Sequence, residues 1–407
     1  GAEMPMASDQ VIWSEQGRLH LAYNGQINPV TGVVDTITGI DSGSTEAHAV
    51  RKGATLVAVV NSIVFKAFVK VGAENSTSQL TIKPYGAENV DDLSGIATTD
   101  NQVIKFFVYG SEFKKGTASM TESIEPNFLS LTNKPMIIKD HFEINGSDAG
   151  QIGWIEVSGE AGQNGYLWYL KSQGDTNKRF EDYLEMSVVE AEKSDSTADS
   201  DIPDGSEGLL SAIGNRGIVG TGFFDDSSDP VLASFDTLLT NLDEQGAIEE
   251  NMLFLDRGAN LGIDDMLGAV NANFSGGTSF GVFNNSQDMA LNLGFSGFRR
   301  GSYDFYKTDW KYLNNKSTRG LVGGLEGVLV PAGTSSVYDQ NLGQNVKRPF
   351  LHVRYRASEA DDRKLKTWIT GSVGGAATIG DDKMEVHYLS ERCLVVQAAN
   401  NFVRFDS

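Results

Sequence analysis

A single cysteine, Cys393, stands in 407 residues, which excludes an intramolecular disulfide framework and a cysteine-based zinc site. Histidine is almost as sparse: His20, His48, His141, His352 and His387 are scattered, none at metal-ligand spacing from another. Basic side chains are outnumbered, with 33 Lys and Arg against 54 Asp and Glu, a net charge of −21. That excludes a chain working mainly as a polycation on nucleic-acid phosphates. No apolar run approaches the ~20 residues of a membrane helix. The richest stretch, Thr55 to Val71, is interrupted by Asn61, Ser62, Lys66 and Lys70. No signal-peptide pattern opens the chain. The expectation is a soluble protein made inside a cell, with no membrane partner.

What is present is ordinary globular composition, 40% hydrophobic and 21% charged. At about 150 residues per domain the length predicts two or three domains. Glycine at 45 and proline at 9 predict many turns and bulges among strands. Residues 1–47 read as an extended arm punctuated by Asn24-Gly25, to be ordered by lying on something else. Residues 48–110 read as a small barrel-like β-subdomain of four strands, with Phe65, Ala67, Val69 and Val71 close to the period-two pattern. Residues 111–170 hold a connection and a long hairpin, Pro135–Ile144 with Ile152–Val157 around Gly146-Ser147-Asp148, then an aromatic strand Tyr166–Leu170. An isolated hairpin is marginal in water, so this one calls for a partner surface.

The clearest helix is 175–193, within a region 171–233: Asp175 as N-cap, and Phe180, Tyr183, Leu184, Val188 and Ala191 on one stripe. Residues 194–208 form a polar, acidic loop. A compact α/β domain follows over 234–345. Ser234 caps a helix carrying Phe235, Leu238, Leu239 and Leu242, and Gly246 closes it. Met252–Leu255 is a strand, and Ile263, Met266, Leu267 and Val270 form a second helical stripe. Residues 346–407 return to β: Phe350–Tyr355, Trp368–Ser372 and a run from Met384 to Phe405.

Catalytic signatures are missing. There is no Walker A pattern, G-x-S-x-G elbow or H-E-x-x-H. The Gly217, Gly220 and Gly222 cluster reads as a structural turn. Asp225, Asp226 and Asp229 read as a solvated acidic turn, lacking the glycine and bidentate glutamate of a calcium loop. Cys393 reads as a buried, inert thiol. On one extended strand His387 shares its face but lies ~20 Å away, too far for a dyad. Phe295 to Tyr312, with Arg299, Arg300, Lys307 and Lys311 interleaved, is the best candidate for single-stranded nucleic acid. In so acidic a chain, a core or interface sheet is the preferred reading. No catalytic, cofactor or metal residue is assigned.

The order of elements, with the segment Met384-Glu-Val-His-Tyr-Leu-Ser-Glu-Arg-Cys-Leu-Val-Val-Gln-Ala-Ala-Asn-Asn-Phe-Val-Arg-Phe405, Gly110–Thr117 and Asn133–Lys139, resembles the major capsid protein of tailed bacteriophages. The crAss-like branch is the nearest in pattern, and the resemblance runs from about residue 110 onward. It implies an α+β, Hong Kong 97-like capsid fold: an N-arm, an E-loop hairpin, a P-domain with a spine helix and an A-domain, plus an inserted β-rich subdomain. It implies a structural protein and not an enzyme. Copies would assemble through hexamers and pentamers into an icosahedral shell around double-stranded DNA, held only non-specifically. Portal, scaffold and auxiliary or decoration proteins would be partners, and the virion the location, after synthesis in the bacterial host cytoplasm. The Gly1 start would fit a processed, mature form. Some members cross-link an E-loop lysine to a neighbour's asparagine; Lys134, Lys139, Asn400 and Asn401 are not matched to that motif position by position, and no cross-link is inferred. The lapping hairpin implies that deleting residues 140–152 abolishes shells but leaves folded subunits. The alternative is a β-rich phage fibre or adhesin module binding a cell-surface carbohydrate.

Overall fold

The computed structural model describes residues 2–16, 22–39, 48, 50–72, 79–117, 128–150, 156–158, 164–194, 202–224, 231–246, 248–264, 296–339, 344–373 and 378–407. The fold is mixed α+β and rich in strands. Contacts divide it into two compact units, Ser14–Ser130 and Gly1–Trp13 with Leu131–Ser407.

The chain opens with β1 (Ala2–Met6) and β2 (Val11–Gln16). The smaller unit is a closed barrel of β3 (Ala22–Asn28), β4 (Val33–Gly39), β5 (Ala54–Val60), β6 (Ile63–Val71), β7 (Leu80–Pro84) and β8 (Gln102–Ser111), ordered β3-β4-β7-β6-β5-β8. Alternation builds it: Tyr23 and Ile27, Leu56 and Val60, Leu80 and Ile82, Ile104 and Phe106 turn inward to one core. Closure removes the sheet edges that an open arrangement would expose.

The barrel corrects the expected boundary at residue 48. β3 and β4 complete it, so 22–39 is not part of a free arm. The Asn24-Gly25 pair is not a turn either. The β3–β4 register shifts between Asn24 and Gln26, and a Cβ on Gly25 would lie 3.1 Å from the Asp35 carbonyl oxygen, so glycine serves a bulge. The actual turn uses Gly32 at φ 71°, with Asn28 Oδ1 accepting from the Val30 and Thr31 amides at 3.1 Å.

In the larger unit β9 (Phe128–Asn133), which pairs with β2, leads to β10 (Met136–Asn145) and the short α1 (Gly146–Gly150). The hairpin expected from Pro135 is not seen among the described residues, and 151–155 of its second strand lie outside them. β10 pairs antiparallel along its whole length with β22 (Lys383–Val396), while β11 (Glu156–Ser158) pairs with β12 (Asn164–Tyr166). The physical reason is burial: Phe142 and Ile144 of β10 pack with Met384, Val386 and Tyr388, a face no two-stranded arm could cover. Deleting 140–152 would therefore remove core, and folded subunits are not the expected product.

Helix α2 (Leu167–Glu190) follows directly. Residues 167–170 continue this helix rather than forming a strand, and Asp175 lies inside it rather than at its cap. Its 24 residues span about 36 Å. Phe180 and Leu184 are buried against the sheet, with the Phe180 ring 5.7 Å from that of Tyr388. Asp175, Glu181, Asp182 and Glu185 face solvent.

The first sheet runs β1-β20-β22-β10, where β20 is Leu351–Arg356; β21 (Lys366–Gly371) also pairs with β22. The second sheet gathers β13 (Ile218–Thr221), β23 (Val403–Asp406), β17 (Gly327–Pro331), β14 (Glu250–Leu255), β16 (Tyr303–Asp309) and β15 (Ser296–Arg300), in that order. The remaining pair is β18 (Thr334–Asp339) with β19 (Gln344–Pro349). The expected C-terminal run thus divides between two sheets: Ala398 turns the chain in the left-handed region (φ 52°) and β23 joins the second one.

α3 (Leu209–Arg216) buries Leu209, Leu210, Ala212 and Ile213 beside the first sheet's Leu394 and Val396. α4 (Val231–Gln245) covers the second sheet through Phe235, Leu238 and Leu242, and the Phe235 ring lies 4.9 Å from that of Phe305. Ser234 lies within α4 rather than capping it, while Gly246 follows its end at φ 69°. Residues 257–264 are helical with Ile263 buried; Met266, Leu267 and Val270 lie outside the described residues.

Phe180 anchors α2 to the sheet. Phe180→Ala is expected to cost about 3–5 kcal/mol in denaturant unfolding of the larger unit; a loss under about 1 kcal/mol would show that α2 is held elsewhere.

Candidate functional site

The residues the sequence put forward for chemistry are placed by the fold in structural surroundings. Cys393 lies on β22 fully buried, with its Sγ 4.0 Å from Met6 Sδ. Burial pushes the thiol up to about 12, against the opposing field of Arg354. His387 and Glu391 share its strand, and Glu391 is held by Arg363 at 2.7 Å. Of the glycines read as a structural turn, Gly222 turns at φ 64°, Gly220 lies within β13, and Gly217 ends α3 in extended backbone where a Cβ would meet Ile213 and the Ala399 oxygen at 2.8–2.9 Å. Asp225, Asp226 and Asp229 lie outside the described residues, as do His20 and Phe295. No group of three His, Cys, Asp or Glu able to hold a metal ion occurs among the described residues.

The aromatic and basic stretch becomes core. Phe298, Tyr303 and Phe305 are buried beneath α4. Its cations are neutralised in place: Arg299 faces Asp304 at 3.6 Å, Arg300 Nε donates to Asp236 at 2.6 Å, and Lys307 pairs with Asp264. Only Lys311 of the four stays exposed without such a pair among the described residues. A single-strand platform needs free rings and free cations, and here three of the rings are buried and three of the four cations are paired. Of the lysines and asparagines weighed for a cross-link, Lys134 pairs with Asp204 at 2.6 Å and Asn400 donates to Gln245 at 3.0 Å. Lys139 is exposed on β10, and Asn401 is buried.

Exposed features carry more. A short helix, Arg319–Val322, ends in Gly323 and Gly324 at φ 68° and 77° and holds Leu321 and Val322 out to solvent at 75% and 77% exposure. The tip is stiffly mounted. Glu190 at the end of α2 accepts two bonds from Arg319 Nη1, at 2.9 and 3.1 Å, and one from the Tyr312 hydroxyl at 2.6 Å. Burial and Glu190 push the Tyr312 phenol well above its usual range. Gly320 fits where a Cβ would meet the Leu313 oxygen at 2.6 Å. Large apolar side chains on a rigid, glycine-framed tip mark an interaction site more than a folding element. Sequence inspection passed over Gly320-Leu-Val-Gly-Gly324 because its composition reads as loop.

Three further surfaces are open. β10 ends its sheet, so its outer backbone edge is unpaired among the described residues. Lys139, His141 and Glu143 guard that edge. Across the sheet, His141, His387 and Trp368 form one row at opposed register positions, rings 6.3 and 5.1 Å apart. Beside the mount of the tip, a groove of about 710 Å³ runs between α2 and β20, with Met186, Val188, Trp310, Leu351 and Leu394 among its walls. On the barrel, Val64, Val103, Phe107 and Tyr109 point outward at 47–67% exposure. No described helix is long and apolar enough to cross a membrane.

No family model and no curated protein matches the chain. Among solved structures it is similar to the asymmetric unit of the bacteriophage PhiM1 mature capsid, at 10% identity over 74% of this chain and 78% of that one, TM-score 0.38. It is similar to the Gordonia phage Cozz structure at 11% identity over 73% and 78%, TM-score 0.37. It is also similar to the capsid of the cyanophage P-SCSP1u at 8% identity over 88% and 84%, TM-score 0.35. At such TM-scores the function is left to the chain's own geometry.

Native Cys393 is expected to resist a thiol reagent at pH 8 and to react as one equivalent after unfolding in guanidinium. Rapid native modification would mean that β1 and β22 separate in solution.

Proposed function

We propose that the chain is the major capsid subunit of a tailed bacteriophage, a structural protein that acts by assembling with copies of itself. The observation that carries this reading is the tip: Leu321 and Val322 are built out into water on a rigid mount, at a cost in hydration that only a partner recovers. The groove by Trp310 and Leu351 is a different surface of the same chain. A knob and a separate groove permit a heterologous contact, which closes into rings when the rotation allows. Hexamers and pentamers forming an icosahedral shell are the assemblies this reading calls for. The open edge of β10 supports it too, since an unpaired strand can accept a neighbour's backbone.

In this reading α2 is the spine helix, the first sheet the P-domain and the second sheet with α4 the A-domain. The barrel is an inserted subdomain, and we assign its outer apolar face to auxiliary or decoration proteins. Scaffold and portal proteins complete the set of partners, and the virion is the location. The acidic balance of −21 suits a container that holds double-stranded DNA without adhering to it. A fibre or adhesin is the weaker reading, because fibres tend toward internal repeats and none is visible in the sequence.

Sedimentation of the purified chain, with negative-stain microscopy of the fast fraction, tests the proposal. Closed shells are expected. A compact trimer with nothing larger, even with scaffold co-expressed, would overturn it. Leu321→Ser with Val322→Ser is expected to leave the fold and its unfolding curve within about 0.5 kcal/mol, since both side chains are exposed, while large particles fall at least tenfold. Undiminished particles would remove the tip from the assembly contacts.

A further inference from the structure

Nearly every described arginine of the larger unit has a carboxylate: Arg179 with Asp140, Arg216 with Glu207, Arg319 with Glu190, Arg363 with Glu391. Arg348 on β19 and Arg354 on β20 are the exceptions. Neither side chain has a hydrogen bond or an ion pair among the described residues, and the Nε of each is buried without a partner. Both side chains are half-buried. Burial lowers the Arg354 guanidinium from its ordinary value, and the field of Arg348 adds to this. His352 completes the cluster: it is 1% exposed, its Nδ1 lies 2.9 Å from the Pro349 oxygen, and its Nε2 is buried and unpartnered. Burial holds His352 below its usual range, and Arg354 and Arg348 press the same way.

A chain with 21 surplus acidic groups leaves two arginines side by side without a carboxylate. Half-desolvated cations without a counter-charge are costly, and the cost is removed when an anion arrives. The guanidinium fork fits carboxylate oxygens in pairs. Carboxylates of the chain near that strand are already engaged: Arg356 holds Asp9 and lies 3.6 Å from Glu391, which Arg363 also holds at 2.7 Å. Leu351 and Val353 of β20 pack in the cluster that holds Val188 and Val189 of α2, so Arg354, alternating with them, points to the opposite face.

We infer that Arg348, His352 and Arg354 form a socket for the exposed acidic residues of α2, Asp175, Glu181, Asp182 and Glu185, from a second copy of the chain. Charge complementarity selects this occupant. Residues 171–250 hold 19 acidic and 5 basic side chains, while residues 344–372 hold 3 acidic and 7 basic ones. The contact joins two different surfaces, the heterologous kind that the proposed assembly needs, and the inference rests on that proposal.

The test uses the full chain under conditions where the wild type forms large particles. Arg348→Gln with Arg354→Gln is expected to stay folded, with an unfolding midpoint equal to or above the wild type, and to lower particle yield at least tenfold at about 0.15 M salt. A chain carrying Arg348→Glu and Arg354→Glu is expected to fail likewise, and adding Glu181→Lys, Asp182→Lys and Glu185→Lys to it is expected to restore particles. Wild-type yield from the glutamine variant overturns the socket, as does failure of the charge swap to restore any particles while its subunits remain folded. A fluorescent duplex of about 20 base pairs, two helical turns, separates a phosphate partner. Duplex binding lost in the glutamine variant with assembly intact would overturn the inference in favour of nucleic acid. A wild type that never assembles, with or without scaffold, overturns the assembly proposal itself.

Discussion

Strand β22 is the member on which the larger unit depends. Its 14 residues pair with β10 along one edge and with β21 and then β20 along the other. A strand so placed must satisfy its backbone in both directions and bury side chains on both faces in its second half, where Ser390 to Val396 are all buried. That demand explains the neighbouring choices. Phe180 and Leu184 of α2 seal the face of Met384, Val386 and Tyr388; Leu209, Ala212 and Ile213 of α3 seal that of Leu394 and Val396. Cys393 then sits fully buried, in surroundings too dry for a reactive thiol.

How much of this was legible depended on whether a segment's pattern agreed with its tertiary setting. Phe235, Leu238 and Leu242 repeat at helical spacing, and the helix lies where they place it. β6 alternates cleanly and was read correctly as a strand. β3 and β4 escaped because Asn24, Gln26, Asp35 and Thr38 fill their outward positions, leaving Tyr23, Ile27, Val34 and Ile37 too dilute to register as strands. Leu167 to Leu170 misled in the opposite sense: four large apolar residues in a row carry no helical period, so nothing local marked them as part of α2. The pairing of β10 with β22 joins residues some 250 positions apart, and no local pattern reports it.

The candidate surfaces were harder to see, because a site for another molecule shows itself only by what it fails to satisfy. Leu321 and Val322 look like loop filler until their exposure and their mount on Glu190 stand together. Arg348 and Arg354 look like any other arginines until the rest are seen to be paired. The same logic works in reverse for Arg299, Arg300 and Lys307. They resembled a nucleic-acid face in the sequence, and their carboxylate partners, distant along the chain in Asp236 and Asp264, removed it.

Apolar and ionic leftovers differ in what they can contribute to assembly. An exposed leucine gains free energy on burial against almost any dry surface, with little preference for orientation. A half-buried arginine pair gains only from oxygens in the right places, and loses if brought against another cation. A contact made of the first alone would associate without register, and one made of the second alone would weaken with salt. The larger unit keeps both kinds, each on framework held by a buried sheet or a Glu190-centred mount. Rigid placement matters here because any angular error at one contact is repeated at every copy around a ring, and closure tolerates little of it.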